Sequence, residues 1–177
     1  MAATDIAAAL QRVESVLQRR PEAGIVDDAP ATARWSEGTR VLSDHPGGLQ
    51  VATDMPKELG GSGDQPSPGW LLRAALASCA VTRIAMAAAS AGIALRTLEA
   101  RAHSRSDARG LLGVPAPDGS AVFAGPHDVQ LVVRIGAPGV AADRLQALVQ
   151  EGCRLAPVSC AMADDVPVAL RVEIDGA

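Results

Sequence analysis

The chain has 177 residues, a formal net charge of -4 and 48% apolar residues, enough for one compact core and too short to favour two. Its arginines are scattered rather than gathered into a basic stripe, so a nucleic-acid backbone finds no electrostatic landing site. Three cysteines make no disulfide framework, neither CxxC nor HExxH occurs, and His45, His103 and His127 are far apart, which points to a reducing cytoplasm and to no metal or other cofactor.

From the N-terminus, Ile6, Leu10, Val13 and Leu17 recur at helical spacing and predict an amphipathic helix over Thr4–Arg20, with Thr4 as N-cap and Pro21 as its stop. Asp5 inside the first apolar stretch, and the lack of a basic start, argue against a secretory signal. This helix and a Pro/Asp-containing linker (1–30) precede a single domain (31–177). There, Ala31–Trp35 and Arg40–Leu42 read as a hairpin around Ser36-Glu37-Gly38, and Leu49–Thr53 as a third strand after the Pro46-Gly47-Gly48 turn. The run Gly60-Gly61-Ser62-Gly63 has no following Lys-Ser/Thr pair and lacks the third glycine of a dinucleotide fingerprint, so it reads as a plain flexible loop.

Ser67 as N-cap and Pro68 as first residue open a long helix to about Ala91, stopped by Gly92. The most apolar stretch of the chain, Leu71–Leu95, falls largely within it. Arg73 and Arg83 interrupt that stretch, so it is expected to be a buried central helix and not a membrane span. Thr97–Ser106 and Val129–Ile135 read as strands separated by a Gly/Pro-rich excursion from Gly110 to Gly119. A helix over Ala141–Arg154 carries Leu145, Leu148, Val149 and Gly152/Cys153 on one side, and Pro157 breaks or restarts it. The alternation Val166, Val168, Leu170, Val172, Ile174 predicts a closing strand. Strands and helices do not alternate strictly, so the fold class is α+β, with antiparallel or mixed sheets flanking an Ala-rich helix.

The segment Pro68-Gly-Trp-Leu-Leu-Arg-Ala-Ala-Leu-Ala-Ser-Cys79, with its Ala-rich continuation to Gly92-Ile93, resembles the helix that carries the reactive cysteine of OsmC/Ohr proteins. The preceding Glu58-Leu-Gly-Gly61 loop is similar too, as are Ala156-Pro157-Val158-Ser159 and Val166-Pro167-Val168 near the other end. The resemblance brackets about Ala31 to Ile174, with the N-terminal helix as an addition. It implies antiparallel sheets wrapped around central helices in an intertwined homodimer. It also implies a thiolate that attacks an organic hydroperoxide, becomes a sulfenic acid and is resolved by a second cysteine.

Cys79 matches the family's reactive position. A free thiol has a pKa of about 8.5, so peroxide chemistry at neutral pH needs a nearby cation or hydrogen-bond donors. Arg83, four residues on, is the local candidate, against the alternative that Cys79 is an inert core residue. The rest of the family's machinery is altered: Ala156 stands where the second cysteine would be, Gly69 where a glutamate would start the helix, and Ser36 where the Ohr branch carries its arginine. Arg34 and Arg40 lie near that last position. Cys153 and Cys160 flank position 156 at helical spacing, either as substitute resolving thiols or as small buried hydrophobes. Two functions follow. One is a thiol peroxidase acting through Cys79 with an external thiol reductant, and the other is a non-catalytic dimer binding a small hydrophobic ligand. A purely structural or protein-interaction dimer is the third class.

Overall fold

The computed structural model describes residues 3–164 and 166–175. Helix α1 (Ala3–Arg19) leads into a short 3-10 turn at Pro21–Gly24. Since Ala3 is already helical, Thr4 lies inside the helix and not at its cap. Strands β1 (Thr32–Glu37), β2 (Arg40–Asp44) and β3 (Gln50–Thr53) form one antiparallel sheet in that order. The first hairpin is longer than its sequence indicated. β1 runs through Ser36, which sits at a bulge between Trp35, opposite Val41, and Glu37, opposite Arg40. The turn is therefore Gly38-Thr39, with Gly38 in the left-handed region at φ 51°.

Helix α2 (Pro68–Ser90) has the expected ends: the Ser67 side chain accepts from Trp70 N–H at 3.3 Å, and Gly92 follows at φ 66°. Strands β4 (Thr97–Arg105) and β5 (His127–Gly136) pair antiparallel as a second sheet. Their connector contains a short helix, α3 (Ala108–Leu112), that no hydrophobic period announced. Asp107 caps it by accepting from Arg109 N–H at 2.9 Å, and Gly110 packs so closely on Phe123 and Ala124 that a Cβ would lie 2.4 Å from the Phe123 carbonyl. Helix α4 (Ala142–Arg154) ends where Leu155 leaves helical geometry, and Pro157 restarts the chain as α5 (Pro157–Ala163).

The core forms around α2. Leu76, Ala80, Ile84 and Ala88 recur every four residues and are buried, as are Leu145, Leu148 and Gly152 on the facing side of α4. Ile84 is 0% exposed, and burying such a side chain is worth about 1.5–3 kcal/mol. A Cβ on Gly152 would stand 2.6 Å from Ile84 Cγ1 and 3.0 Å from its Cα, so the two helices meet backbone to side chain with nothing between. β4 covers another side of α2, fastened where Arg73 donates to Ser104 Oγ at 3.2 Å; α1 and α5 pack on it as well.

Two expectations are corrected. The central helix is expected to lie buried between two sheets, but of the strands only β4 packs on it to any extent, and the β1–β2–β3 sheet packs closely on no helix. By length and apolar composition alone α2 would suffice to cross a membrane, and much of its surface is left uncovered by the rest of the chain. The closing strand is also not formed: Val166–Ile174 joins no ladder among the described residues, with Val168 92% and Leu170 88% exposed. Alternation says that a segment suits a half-buried ladder. It does not supply the edge to pair with.

The helix contact yields the first test. Gly152→Ala gains helix propensity but forces a methyl into Ile84, and the expected net result is a loss of about 1–2 kcal/mol in urea unfolding. An unchanged or raised midpoint would mean that α2 and α4 can separate at no cost.

Candidate functional site

Six residues at helical spacing on α2, namely Ala75, Ser78, Cys79, Thr82, Arg83 and Met86, form one wall of an open cleft of about 500 Å³. Leu155, Pro157 and Val158, from the α4–α5 junction, form the other. The junction supplies more than bulk: Val158 N–H points at Cys79 Sγ, 3.5 Å away. That amide is free to do so because it belongs to the first turn of α5, where backbone donors have no partner within the helix. Cys79 is half-buried and lines the cleft.

The other sequence-derived positions separate into those the cleft gathers and those it does not. Arg83 lines it, half-buried, and makes no hydrogen bond or ion pair among the described residues. Its charge is felt at Glu151, whose carboxyl is held below its usual range first by the hydrogen bond from Arg154, with Arg83 a smaller influence. Ala156 is fully buried. Neither Cys153 nor Cys160 lines the cleft. Burial pushes the Cys153 thiol up, and Cys160 donates its S–H to the Arg154 carbonyl at 3.3 Å. All three cysteines are free thiols. Ser159 Oγ, in the same Ala156–Ser159 stretch, is buried without a hydrogen-bond partner among the described residues.

The hairpin arginines are committed elsewhere. Arg34 pairs with Asp44, its diagonal neighbour across the β1–β2 ladder. Arg40 reaches Asp54 at 3.1 Å and Ser62 Oγ at 2.7 Å, and pairs with Asp64 as well. Asp54, 4% exposed, is the centre of this cluster. It accepts from Thr39 Oγ1 at 2.5 Å, Met55 N–H at 2.8 Å, Ser62 N–H at 3.1 Å and Ser62 Oγ at 2.7 Å. The Gly60–Gly63 loop is thus not loose but clamped, and a Cβ on Gly61 would collide with the Met55 carbonyl at 1.8 Å. Among the described residues Ser36 forms no side-chain hydrogen bond from its bulge, and at Gly69 an added Cβ would meet nothing closer than 3.9 Å. Position 69 is therefore open to a side chain that this sequence does not place there. Among the described residues no group of three or more His, Cys, Asp or Glu is arranged to hold a metal.

The cleft residues Ser78, Thr82 and Met86 follow from Cys79 by helical spacing and were within reach of sequence reasoning. Val158 N–H was not, because it rests on a contact between residues 79 positions apart.

The model of the OsmC-like protein family matches residues 61–171, which take in both walls of the cleft and Cys79. The chain belongs to the OsmC-like protein family. Solved structures carry the same fold. One is an organic hydroperoxide resistance protein OsmC from Legionella pneumophila, described as a predicted redox protein and regulator of sulfide bond formation. It is 22% identical, with TM-score 0.57, over 78% of this chain and 90% of that one. An OsmC-like protein from Mycoplasma pneumoniae is 15% identical with TM-score 0.65, over 80% and 91%. A Vibrio cholerae protein of the organic-hydroperoxide-resistance class, solved with captopril bound in one of its active sites, is 22% identical with TM-score 0.53, over 80% and 89%. No curated protein matches the chain by sequence.

The Asp54 clamp has a pH signature. Hydrogen bonds from Thr39 and Ser62 hold its carboxyl well below the ordinary value of 3.8, so its contribution to stability is complete above that range and is lost as pH falls beneath it. Asp54→Asn is therefore expected to melt below the wild type at neutral pH, with the gap narrowing as pH drops under about 4. A gap that stays constant from neutral pH into the acid range would contradict the clamp.

Proposed function

We propose that this protein is a thiol peroxidase of oxidative-stress defence that reduces organic hydroperoxides through Cys79. The observation that carries the reading is the placement of the Cys79 sulfur: half-buried, at the wall of a mainly apolar cleft, with a backbone N–H directed at it. An apolar cleft suits the organic part of a hydroperoxide, and the amide is a donor for charge that develops on sulfur or on the departing oxygen. In the reaction the Cys79 thiolate attacks the terminal peroxide oxygen, an S–O bond forms as the O–O bond breaks, and the alkoxide leaves as an alcohol after taking a proton. Cys79 is left as a sulfenic acid. The names of its structural neighbours support the class of chemistry. The captopril in the Vibrio cholerae protein supports reading the cleft as a pocket for small molecules.

A second reading is supported by specific departures. With Ala156, Gly69 and Ser36 at the family's partner positions, and Arg34 and Arg40 bound to aspartates, the cleft of a non-catalytic dimer would simply hold a small hydrophobic ligand. The two readings differ in what Cys79 does. Under the first, Cys79→Ser lowers kcat/KM for cumene hydroperoxide at least roughly a thousandfold. Slow consumption that is indifferent to Cys79→Ser would sink it and leave the ligand-binding reading.

We also propose that the chain works as a homodimer in the cytoplasm. The uncovered faces of α2, the β1–β2–β3 sheet that packs on no helix to any extent, and the unpaired, apolar Val166–Ile174 segment all support a second copy as their cover. Sedimentation is expected to show one dimeric species at micromolar concentration, burying well over about 2,000 Å². A folded monomer under those conditions would refute this.

A further inference from the structure

If Cys79 is oxidised, the oxygen it gains has no thiol beside it to remove it. Position 156 is a buried alanine, and neither Cys153 nor Cys160 lines the cleft. The reducing sulfur therefore has to enter through the open cleft. Its walls offer hydroxyls at Ser78 and Thr82, apolar surface, and a single cation, Arg83. No carboxylate has claimed that cation: Glu151 is bound by both Nε and Nη2 of Arg154, at 2.9 and 2.8 Å. A half-buried guanidinium with free donors beside apolar walls selects a planar anion, above all a carboxylate. Four residues of helix rise roughly 6 Å, so a molecule with its carboxylate on Arg83 and its other end at Cys79 needs only two or three carbons between them.

We propose that the Cys79 cleft takes a small carboxylate-bearing monothiol as second substrate, its carboxylate held by Arg83 and its sulfur delivered to Cys79. The catalytic use of this site rests on the peroxidase reading; the recognition does not. In the first step the entering thiolate attacks the sulfenic sulfur, an S–S bond forms, the S–O bond breaks and hydroxide leaves as water with one proton. A second molecule of the same thiol then attacks the outer sulfur of that mixed disulfide. It departs with it as the symmetrical small disulfide, and Cys79 returns as a thiolate. One hydroperoxide and two thiols thus give one alcohol, one water and one disulfide. A neutral or cationic thiol of the same size enters the same space without the attraction, or against it.

The test uses the full chain and does not need peroxide. Cys79 is capped as a neutral methyl disulfide with methyl methanethiolsulfonate, and its release is followed by peptide mass spectrometry with 3-mercaptopropionate, 2-mercaptoethanol and cysteamine, each rate corrected for its thiolate fraction. The acidic thiol is expected to be about tenfold faster than the neutral one, and the cationic thiol slowest. Arg83→Gln should erase the order, and Arg83→Lys should keep part of it. Equal rates for the three thiols, or an order unchanged in Arg83→Gln, would overturn the proposal. A parallel sample receives one equivalent of cumene hydroperoxide and a sulfenic-acid trap. Trapped Cys79 with no thiol selectivity defeats the recognition alone, whereas selectivity without trapping keeps the recognition and defeats the peroxidase reading.

Discussion

The contact between Ile84 and Gly152 sets the geometry on which the rest of this molecule depends. With no Cβ at position 152, α4 lies directly against the backbone of α2, and Ile84 is sealed completely. That depth places the end of α4, only a few residues on, against the α2 face that carries Cys79. Leu155, Pro157 and Val158 become a wall of the cleft and not a surface loop, and the Val158 amide meets the sulfur. A larger residue at 152 would lift α4, and the amide would be the first group to lose its distance. The low aromatic content has the same logic, since Ala80, Ala88 and Ala89 let neighbours approach α2 closely in a way that bulky residues would forbid.

A second constraint acts at the other end of the chain and decides where positive charge is available. Asp54 is buried and would be costly to leave without partners, so the fold surrounds it with Thr39, Ser62 and Arg40. The guanidinium of Arg40 is thereby spent on structure, and that of Arg34 is occupied by Asp44. What remains on the cleft wall with the sulfur is Arg83, placed by helical spacing and in no ion pair among the described residues. The cation of this site is thus carried on the same helix as the cysteine. It does not have to be oriented by a residue at position 69, where the chain has only glycine.

These two constraints leave a mainly apolar cleft with one thiol, one amide donor, one guanidinium and the hydroxyls of Ser78 and Thr82. Neither Cys153 nor Cys160 lines it, so Cys79 is its one thiol.

Much of this was legible in the residues themselves. Ser67-Pro68 and Gly92 delimit α2 because capping and left-handed geometry are local properties, and Cys79 and Arg83 share a face because four residues make about one turn. The apolar face of α4 and the restart at Pro157 were local in the same sense. The α3 helix escaped because five residues are too few to show a period, and Ser36 was placed in a turn because a bulge has no composition of its own. Val166–Ile174 shows the limit most plainly. Its alternation was read correctly as a pattern, yet a strand exists only when another edge accepts its hydrogen bonds, and among the described residues none does. By itself, then, the sequence determined the longer helices, the α+β class and the place of Cys79 on α2. The tertiary structure alone decided which arginines are occupied, which amide faces the sulfur and which segments remain uncovered, because each depends on groups far apart along the chain meeting within a few ångströms.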